Sequence, residues 1–183
     1  MSNSLPKTYT IANFPFRSQR DNYYNPSGAC NVTSIAMCLL NLGIKGDGSY
    51  PQLEDQLYAR CTDRGYSRHS PQGLKQVAES YPNIRDNFTE FGTFDDIREA
   101  LSENIGCVIH GYFTRFGHII AVKGHDERGL IVNDPWGEWN SWGYDHSVTG
   151  EGLHYSYNLI SRLCSPESIG NPSHIWLHRI SQK

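Results

Sequence analysis

The chain has 183 residues, a length typical of one folded domain with a sizeable core, and 38% of its residues are hydrophobic. Its formal net charge of -3 gives no electrostatic basis for binding nucleic acid or an anionic membrane surface. No apolar run approaches the ~20 residues that a transmembrane helix needs. We therefore expect a globular protein with no nucleic-acid partner and no membrane span.

The N-terminal segment and the cysteines indicate the compartment. Residues 1–14 lack the charged and then apolar layout of a secretory signal peptide, so we expect synthesis in the cytoplasm. The cysteines are odd in number, widely spaced and without a CxxC pair, which argues against a disulfide framework and against a thiolate zinc site. They are Cys30, Cys38, Cys61, Cys107 and Cys164.

Four helices are predicted in the first half of the chain, after a short strand over residues 7–12 and a turn-rich segment over residues 13–27. The first helix begins at Cys30, and Gly43 supplies a stop signal. Its apolar residues recur at the spacing of one buried helical face: Val32, Ile35, Ala36, Leu39 and Leu40.

Three further helices are predicted to begin near Pro51, at Ser70 and at Thr93. Ser70 is followed by Pro71, and proline fits the first turn of a helix because the N–H that it lacks has no partner there. Thr93 stands three residues before Asp96, which resembles a capping box with aspartate in place of the usual glutamate.

The second half is predicted to form strands over residues 106–113, 118–125 and 129–134, with a last strand over residues 174–180. The sequence DERG at 126–129 is typical of a turn, and it joins the second and third strands into a hairpin. Helices first and antiparallel strands afterwards predict an α+β fold, with an N-terminal helical half packed on a C-terminal antiparallel sheet.

Cys30 is the cysteine best placed for chemistry, because it opens the first helix after the turn-like sequence PSGA. The unpaired N–H groups and positive dipole end of a helix N-terminus lower the pKa of a thiol, and the thiolate is the form that attacks. A buried structural thiol is the alternative. The other four are assigned to structure: Cys38 in mid-helix, Cys61 and Cys107 at apolar-pattern positions, and Cys164 in a loop-like segment.

A thiol nucleophile needs a base, and His118 is the candidate because it follows Gly117 at the edge of a strand. A solvent-facing histidine at a strand end is the alternative. His110 lies inside the preceding strand and is expected to be a core or sheet-face histidine. His125 closes its strand at the far end from His118.

Asp134 is the candidate for orienting the imidazole of His118. The hairpin brings it opposite residues a few positions beyond His118, within ~10 Å. Pro135 ends the strand there, although Asp-Pro is also a plain turn signal. Asn133 is a rival, but successive strand residues face opposite sides, so only one of the two can point at His118.

Acyl transfer also needs hydrogen-bond donors for the oxyanion. The backbone N–H of Cys30 can supply one, and the side-chain amide of Gln19, in the segment that precedes the helix, can supply a second. On the residues alone, however, an ordinary exposed glutamine is the simpler interpretation of Gln19.

Four segments resemble, in the same order, the bacteriocin-processing cysteine peptidases and their stand-alone relatives, which have a papain-like fold. The segments are 18-SQRDN-22, 28-GACNVTSIAMCL-39, 117-GHIIAVKGHD-126 and 131-IVNDPWG-137. The resemblance implies a single papain-like domain over residues 1–183, with the nucleophile at a helix N-terminus.

Residue by residue, the resemblance assigns oxyanion stabilisation to Gln19, the nucleophile to Cys30, the general base and acid to His118, and the orienting carboxylate to Asp134. Asn31 departs from the family, in which glycine often follows the cysteine, and it is expected to narrow the space beside the nucleophile. The transporter domains of the bacteriocin exporters are absent, so cleavage of double-glycine leader peptides is not implied.

A tryptophan-rich segment over residues 135–146 follows the orienting aspartate and is expected to be a loop. Aromatic side chains there could wall a substrate groove, so Trp136 and Trp139 are, with Asn31, the candidate substrate-binding residues. A hydrophobic lid over the sheet edge is the alternative.

These residues predict a cysteine peptidase that cleaves a peptide or isopeptide bond through a Cys-His-Asp triad and an acyl-enzyme intermediate. A peptidoglycan amidase or endopeptidase, or an acyltransferase, would use the same machinery, and a non-catalytic binding module is the alternative from another class. The chain has no HExxH motif and no thiolate ligands at the usual spacings, so we expect no metal and no cofactor. The expected partner is a peptide, protein or peptidoglycan substrate; the oligomeric state is not indicated.

Overall fold

The computed structural model describes residues 4–183 and contains a central antiparallel sheet. The strands of this sheet are β1 Tyr9–Thr10, β2 Ile84–Asp86, β3 Thr89–Gly92, β4 Gly106–Gly111, β5 His118–His125, β6 Gly129–Asn133, β9 Leu153–Ser156 and β10 Ile175–Gln182. Their order in the sheet is β2-β10-β4-β5-β6-β9, with β1 paired to β5 and β3 paired to β10.

In the part of the chain that the structure describes, five α-helices accompany the sheet: α1 Cys30–Asn41, α2 Leu53–Arg64, α3 Pro71–Glu79, α4 Phe94–Ser102 and α5 Tyr157–Cys164. Within residues 4–183, none of the helices has both the length and the apolar character needed to cross a membrane. The mixed helical and antiparallel-sheet architecture agrees with the α+β prediction.

Helix α1 is the element that positions the start of the candidate site. Its residues from Asn31 to Leu39 are all buried, because the helix packs against β5 and β4 as well as against α2 and α3. The hydroxyl of Ser34 donates to the carbonyl of Ile119 at 3.0 Å, which ties the helix to β5. Gly43, at φ +80, follows the last turn and ends the helix as predicted.

The two predicted cap signals are confirmed. The hydroxyl of Ser70 accepts from the N–H of Gly73 at 3.0 Å, with Pro71 as the first helical residue of α3. At α4, Thr93 and Asp96 form a complete capping box, in which each side chain accepts from the backbone N–H of the other.

The β4–β5–β6 meander fixes the second part of the candidate site. Gly111 pairs with His118 across β4 and β5, and Ala121 pairs with Asn133 across β5 and β6. The turn between β5 and β6 is held by Asp126, whose Oδ1 accepts from the N–H groups of Arg128 and Gly129. This register places the residue after Asn133 beside the first residues of β5.

The division into a helical half and a sheet half is only partly right. Strands β2 and β3 lie in the first half, and both pair with β10. They are three and four residues long, and their partner is distant in sequence, so no local alternation predicts them. Helix α5 lies in the second half, so Cys164 ends a helix and does not lie in a loop.

The tryptophan-rich segment is also more ordered than predicted. Residues 138–145 form a two-stranded hairpin of β7 Glu138–Asn140 and β8 Gly143–Asp145, in which Trp139 pairs with Tyr144. The turn lacks the usual Asn-Gly or Asp-Gly signal, and Gly143 instead takes φ +132 at the start of β8. A hairpin therefore lies just after Asp134 where a loop was expected.

Candidate active site

A cleft of about 510 Å³ opens at the end of the β4–β5 ladder. One wall contains Gln19, Cys30 and Asn31, from the start of α1 and the segment before it. The other wall contains His118 and the loop over residues 112–117. Residues that lie 88 positions apart in the chain therefore meet at one opening, as the candidate assignment requires.

Cys30 is the first residue of α1 and is partly exposed, whereas the other four cysteines are buried. Burial on its own raises the pKa of the Cys30 thiol. The charge of His118, a hydrogen bond with its ring and a backbone hydrogen bond from Ile119 outweigh that effect, so the pKa lies below its ordinary value. Cys30 therefore holds thiolate at a lower pH than a free cysteine does.

His118 lies between Cys30 and Asp134. Its Nε2 donates to Oδ1 of Asp134 at 2.7 Å, because an ionised carboxylate can only accept, and this leaves Nδ1 for the thiol. Burial lowers the pKa of the imidazole, but the charges of Asp134 and of the Cys30 thiolate, with hydrogen bonds to both, raise it to about 10. The geometry favours a thiolate beside an imidazolium.

Asp134 is fully buried and its carboxylate is saturated with donors. Oδ1 also accepts from the backbone N–H of Trp136 at 3.0 Å. Oδ2 accepts from the hydroxyls of Tyr144 and Tyr155, each at 2.9 Å. Several donors to one carboxylate fix its orientation toward His118.

Tyr144 and Tyr155 were not found from the sequence. Tyr144 lies on β8, with its ring edge-on to the imidazole of His118 at 5.4 Å between centroids, and Tyr155 lies on β9. Burial, reinforced by the charge of Asp134, raises the pKa of both hydroxyls, so both remain donors. The sequence carries no signal for this role, because it depends on the pairing of β9 with β6 and on the unpredicted hairpin.

Gln19 is buried, with 2% of its surface exposed, so the expectation of an ordinary exposed glutamine is wrong. Its Nε2 donates to the carbonyl of Pro26 at 2.9 Å, and its backbone N–H donates to the carbonyl of Pro135 at 3.0 Å. Since an amide nitrogen carries two hydrogens, one side-chain N–H of Gln19 remains for the cleft.

The two asparagines have different surroundings. Asn133 does not reach His118: its Nδ2 donates to the carbonyl of Pro15 at 3.0 Å, and its Oδ1 accepts from Gly152, so Asp134 is the residue that points at the imidazole. Asn31 lines the cleft and is buried, with Nδ2 donating to the carbonyl of Arg68 at 2.8 Å. This bond ties the start of α1 to the segment before α3.

The two tryptophans that were predicted to bind substrate lie in different places. Trp136 lines the cleft, whereas Trp139 lies outside it and donates through Nε1 to the carbonyl of Phe113 at 2.8 Å. Trp142, at the tip of the β7–β8 hairpin, is 91% exposed. Of the predicted aromatic contacts, the structure therefore brings only Trp136 to the candidate residues.

The remaining thiols are buried and inert in character. Burial raises the pKa of Cys61 to about 11 and that of Cys107 to about 12, and it also raises the pKa of Cys38 and Cys164. Cys164 is informative because it lines the same cleft as Cys30 but ends helix α5. The negative dipole end of a helix disfavours a thiolate, whereas the positive end favours it.

Comparison with known proteins identifies the family of this chain. A family model described as the Peptidase_C39 like family matches residues 11–165. A solved structure from Bacillus anthracis, described as that of a C39-like peptidase, superposes with a TM-score of 0.65 at 14% identity. The match covers 97% of this chain and 100% of that one, and at this identity it shows a shared fold. No curated protein matches the chain.

Proposed function

Because this chain belongs to the Peptidase_C39 like family, we propose that it is a cysteine peptidase whose triad is Cys30, His118 and Asp134. One observation carries the assignment. His118, which is hydrogen-bonded to Asp134 at 2.7 Å, lines the same cleft as Cys30, the one partly exposed cysteine. A base that is oriented by a third group and placed against a nucleophile is the arrangement that nucleophilic catalysis needs.

The proposed reaction begins with the thiolate of Cys30 and the imidazolium of His118. The sulfur attacks the carbonyl carbon of the scissile amide, and the carbonyl oxygen becomes an oxyanion. His118 then gives its proton to the departing amine as the C–N bond breaks, which leaves an acyl-enzyme on Cys30. A water molecule, deprotonated by His118, attacks this thioester and releases the acid and the thiolate.

The oxyanion is stabilised by two N–H groups. Cys30 is the first residue of α1, so its backbone N–H has no carbonyl partner within the helix. The free side-chain N–H of Gln19 supplies the second donor, since the other is held by Pro26. Trp136 and Asn31 also line the cleft, and they are the proposed substrate-binding residues.

Selective alkylation of Cys30 is the first test of this function. At pH 7 iodoacetamide is expected to label Cys30 at least about ten times faster than the other cysteines, because only Cys30 combines exposure with a lowered pKa. The rate should rise with pH through that lowered pKa. It should change again near pH 10, where the imidazolium of His118 loses its proton. Mass spectrometry of the labelled peptides measures each rate.

The matched control is His118→Ala, which removes the charge that lowers the pKa of Cys30. Its pH dependence of labelling should move upward, and labelling at pH 7 should slow. Equal labelling rates for Cys30 and the buried cysteines in the unmodified protein would overturn the proposed nucleophile.

Gln19→Ala is expected to lower kcat by about 10²- to 10³-fold with little change in KM, because an oxyanion donor acts mainly in the transition state. Gln19→Glu keeps the size of the side chain but removes the N–H donors, and it should be equally slow. Steady-state kinetics on a cleaved peptide measure the effects on kcat and KM separately. A rise in KM with kcat unchanged would instead assign Gln19 to substrate binding.

A further inference from the structure

A second aspartate–histidine pair lies in the sheet and reaches the wall of the same cleft. Nδ1 of His178 bonds with Oδ2 of Asp86 at 2.6 Å, and Nε2 of His178 lies 3.0 Å from Nε2 of His110. Asp86 is on β2, His178 on β10 and His110 on β4, and these are adjacent strands of the sheet. We call this hydrogen-bonded series of three side chains the relay. Nothing in the proposed reaction uses these groups.

These polar groups are costly to bury. Asp86 and His178 are fully buried, and the ring of Phe88 covers His178 at 4.6 Å between centroids. Buried polar groups that hydrogen-bond only to one another seldom stabilise a fold more than apolar side chains of the same size would. Their arrangement is therefore better explained by what His110, the last member of this hydrogen-bonded series, presents to the cleft.

The end of the relay has a defined polarity. The carboxylate of Asp86 accepts Nδ1–H of His178, so in the neutral ring Nε2 of His178 has no proton and accepts Nε2–H of His110. Burial, together with His178, lowers the pKa of His110 to about 3, so His110 stays neutral. Its Nδ1 then carries a lone pair and has no partner within residues 4–183.

His110 lies at the same end of the β4–β5 ladder as His118 and lines the same cleft. It precedes Gly111, whose partner across the ladder is His118, so both histidines lie at the same end of β4 and β5. His110 and Trp176 both line the cleft, with 5.7 Å between their ring centroids, and Trp176 is 42% exposed. The acceptor therefore lies beside an aromatic wall, within the opening that holds Cys30.

We propose that Nδ1 of His110 is a substrate-binding acceptor that takes one backbone N–H of a peptide substrate, with Trp176 packing against that segment. Asp86 and His178 are positioning residues that hold the ring of His110 in the accepting tautomer. This proposal rests on the peptidase function proposed above, and it makes the substrate a peptide bound in extended form along the cleft.

The test combines N-methylation with mutation. The full chain is incubated with a peptide digest of a denatured protein, and the peptide cleaved fastest is resynthesised with each backbone N–H methylated in turn. One methylation is expected to raise KM about five- to tenfold in the unmodified protein, the cost of one lost hydrogen bond. In His110→Leu that same methylation should have no further effect.

Two variants of the relay test whether His178 and Asp86 position His110 or only stabilise the fold. His178→Phe leaves the tautomer of His110 unfixed, and Asp86→Asn offers an N–H to His178, which reverses the relay and turns Nδ1 of His110 into a donor. Both should raise KM with kcat nearly unchanged. The matched control is His154→Phe, which breaks the His154–Asp126 pair outside the cleft and should leave KM unchanged.

A binding measurement keeps this inference separable from the peptidase function. In ¹⁵N-histidine NMR spectra of Cys30→Ala, Nδ1 of His110 should show the unprotonated shift and should move when a mixture of N-acetylated tripeptide amides is added. The N-methylated mixture should not move it. A protonated Nδ1, or a signal that no peptide moves, overturns the proposal, whereas absence of Cys30-dependent cleavage alone overturns the peptidase function.

Discussion

Cys30→Ala is expected to lower peptide hydrolysis by about 10⁴-fold or more while the protein remains folded. No other group in the proposed reaction can form the acyl-enzyme, so removal of the sulfur removes the pathway itself. Cys30 is partly exposed at the first position of α1, and the buried residues behind it are unchanged, so stability should alter little. Initial rates on the cleaved peptide and the thermal midpoint by circular dichroism measure the two effects.

Cys164→Ala is the matched control, since this thiol lines the same cleft at the opposite kind of helix end. Its rate should stay within about threefold of the unmodified protein, and the loss of stability should resemble that of a small core truncation, about 1 kcal/mol. Full activity in Cys30→Ala, or equal losses in both variants, would contradict a nucleophile at Cys30.

Asp134→Asn is expected to lower kcat by about 10³- to 10⁴-fold. The amide can offer an N–H to Nε2 of His118, which would then carry its proton on Nδ1 and could no longer take one from the thiol. The charge that raises the pKa of His118 to about 10 is lost as well. Without that charge the pKa of His118 falls, so the remaining activity should decline at a pH below 10, where the imidazolium is lost. Alkylation of Cys30 at pH 7 should slow in parallel, because less imidazolium is present to stabilise the thiolate.

The control for this prediction is Asp126→Asn, which removes the charge of the aspartate–histidine pair outside the cleft at His154. The asparagine Oδ1 can still accept from the N–H groups of Arg128 and Gly129, so the β5–β6 turn is kept. A rate near that of the unmodified protein is expected there. If Asp134→Asn lowered stability but kept kcat in the folded fraction, Asp134 would be a structural residue that anchors Trp136, Tyr144 and Tyr155.

Local signals predicted much of the fold. The start of α1 at Cys30, the cap at Ser70 and the capping box at Thr93 depend on residues within one helical turn, and all three are present. The short strands β2 and β3 were missed because their partner β10 lies more than 80 residues further along the chain. Pairing across such a separation leaves no mark in a local hydrophobic pattern.

The difference between local signals and long-range contacts also explains which parts of the candidate site were predicted. His118 and Asp134 are joined by one hairpin, so strand geometry was enough to bring them together. Tyr144 and Tyr155 reach Asp134 only because an unpredicted hairpin and an unpredicted strand return to it. His110 could not be linked to His178, 68 residues away, because that contact exists only once β10 lies beside β4.

The position of β10 also affects when the cleft can form during folding. This strand is the last of the described sheet in sequence order, yet it lies between β4 on one side and β2 and β3 on the other. Long-range pairing of this kind is slow, and it cannot begin before residues 175–182 are available. We therefore expect the meander that contains His118 to form first, and the cleft wall that contains Trp176 to form only when β10 pairs with β4.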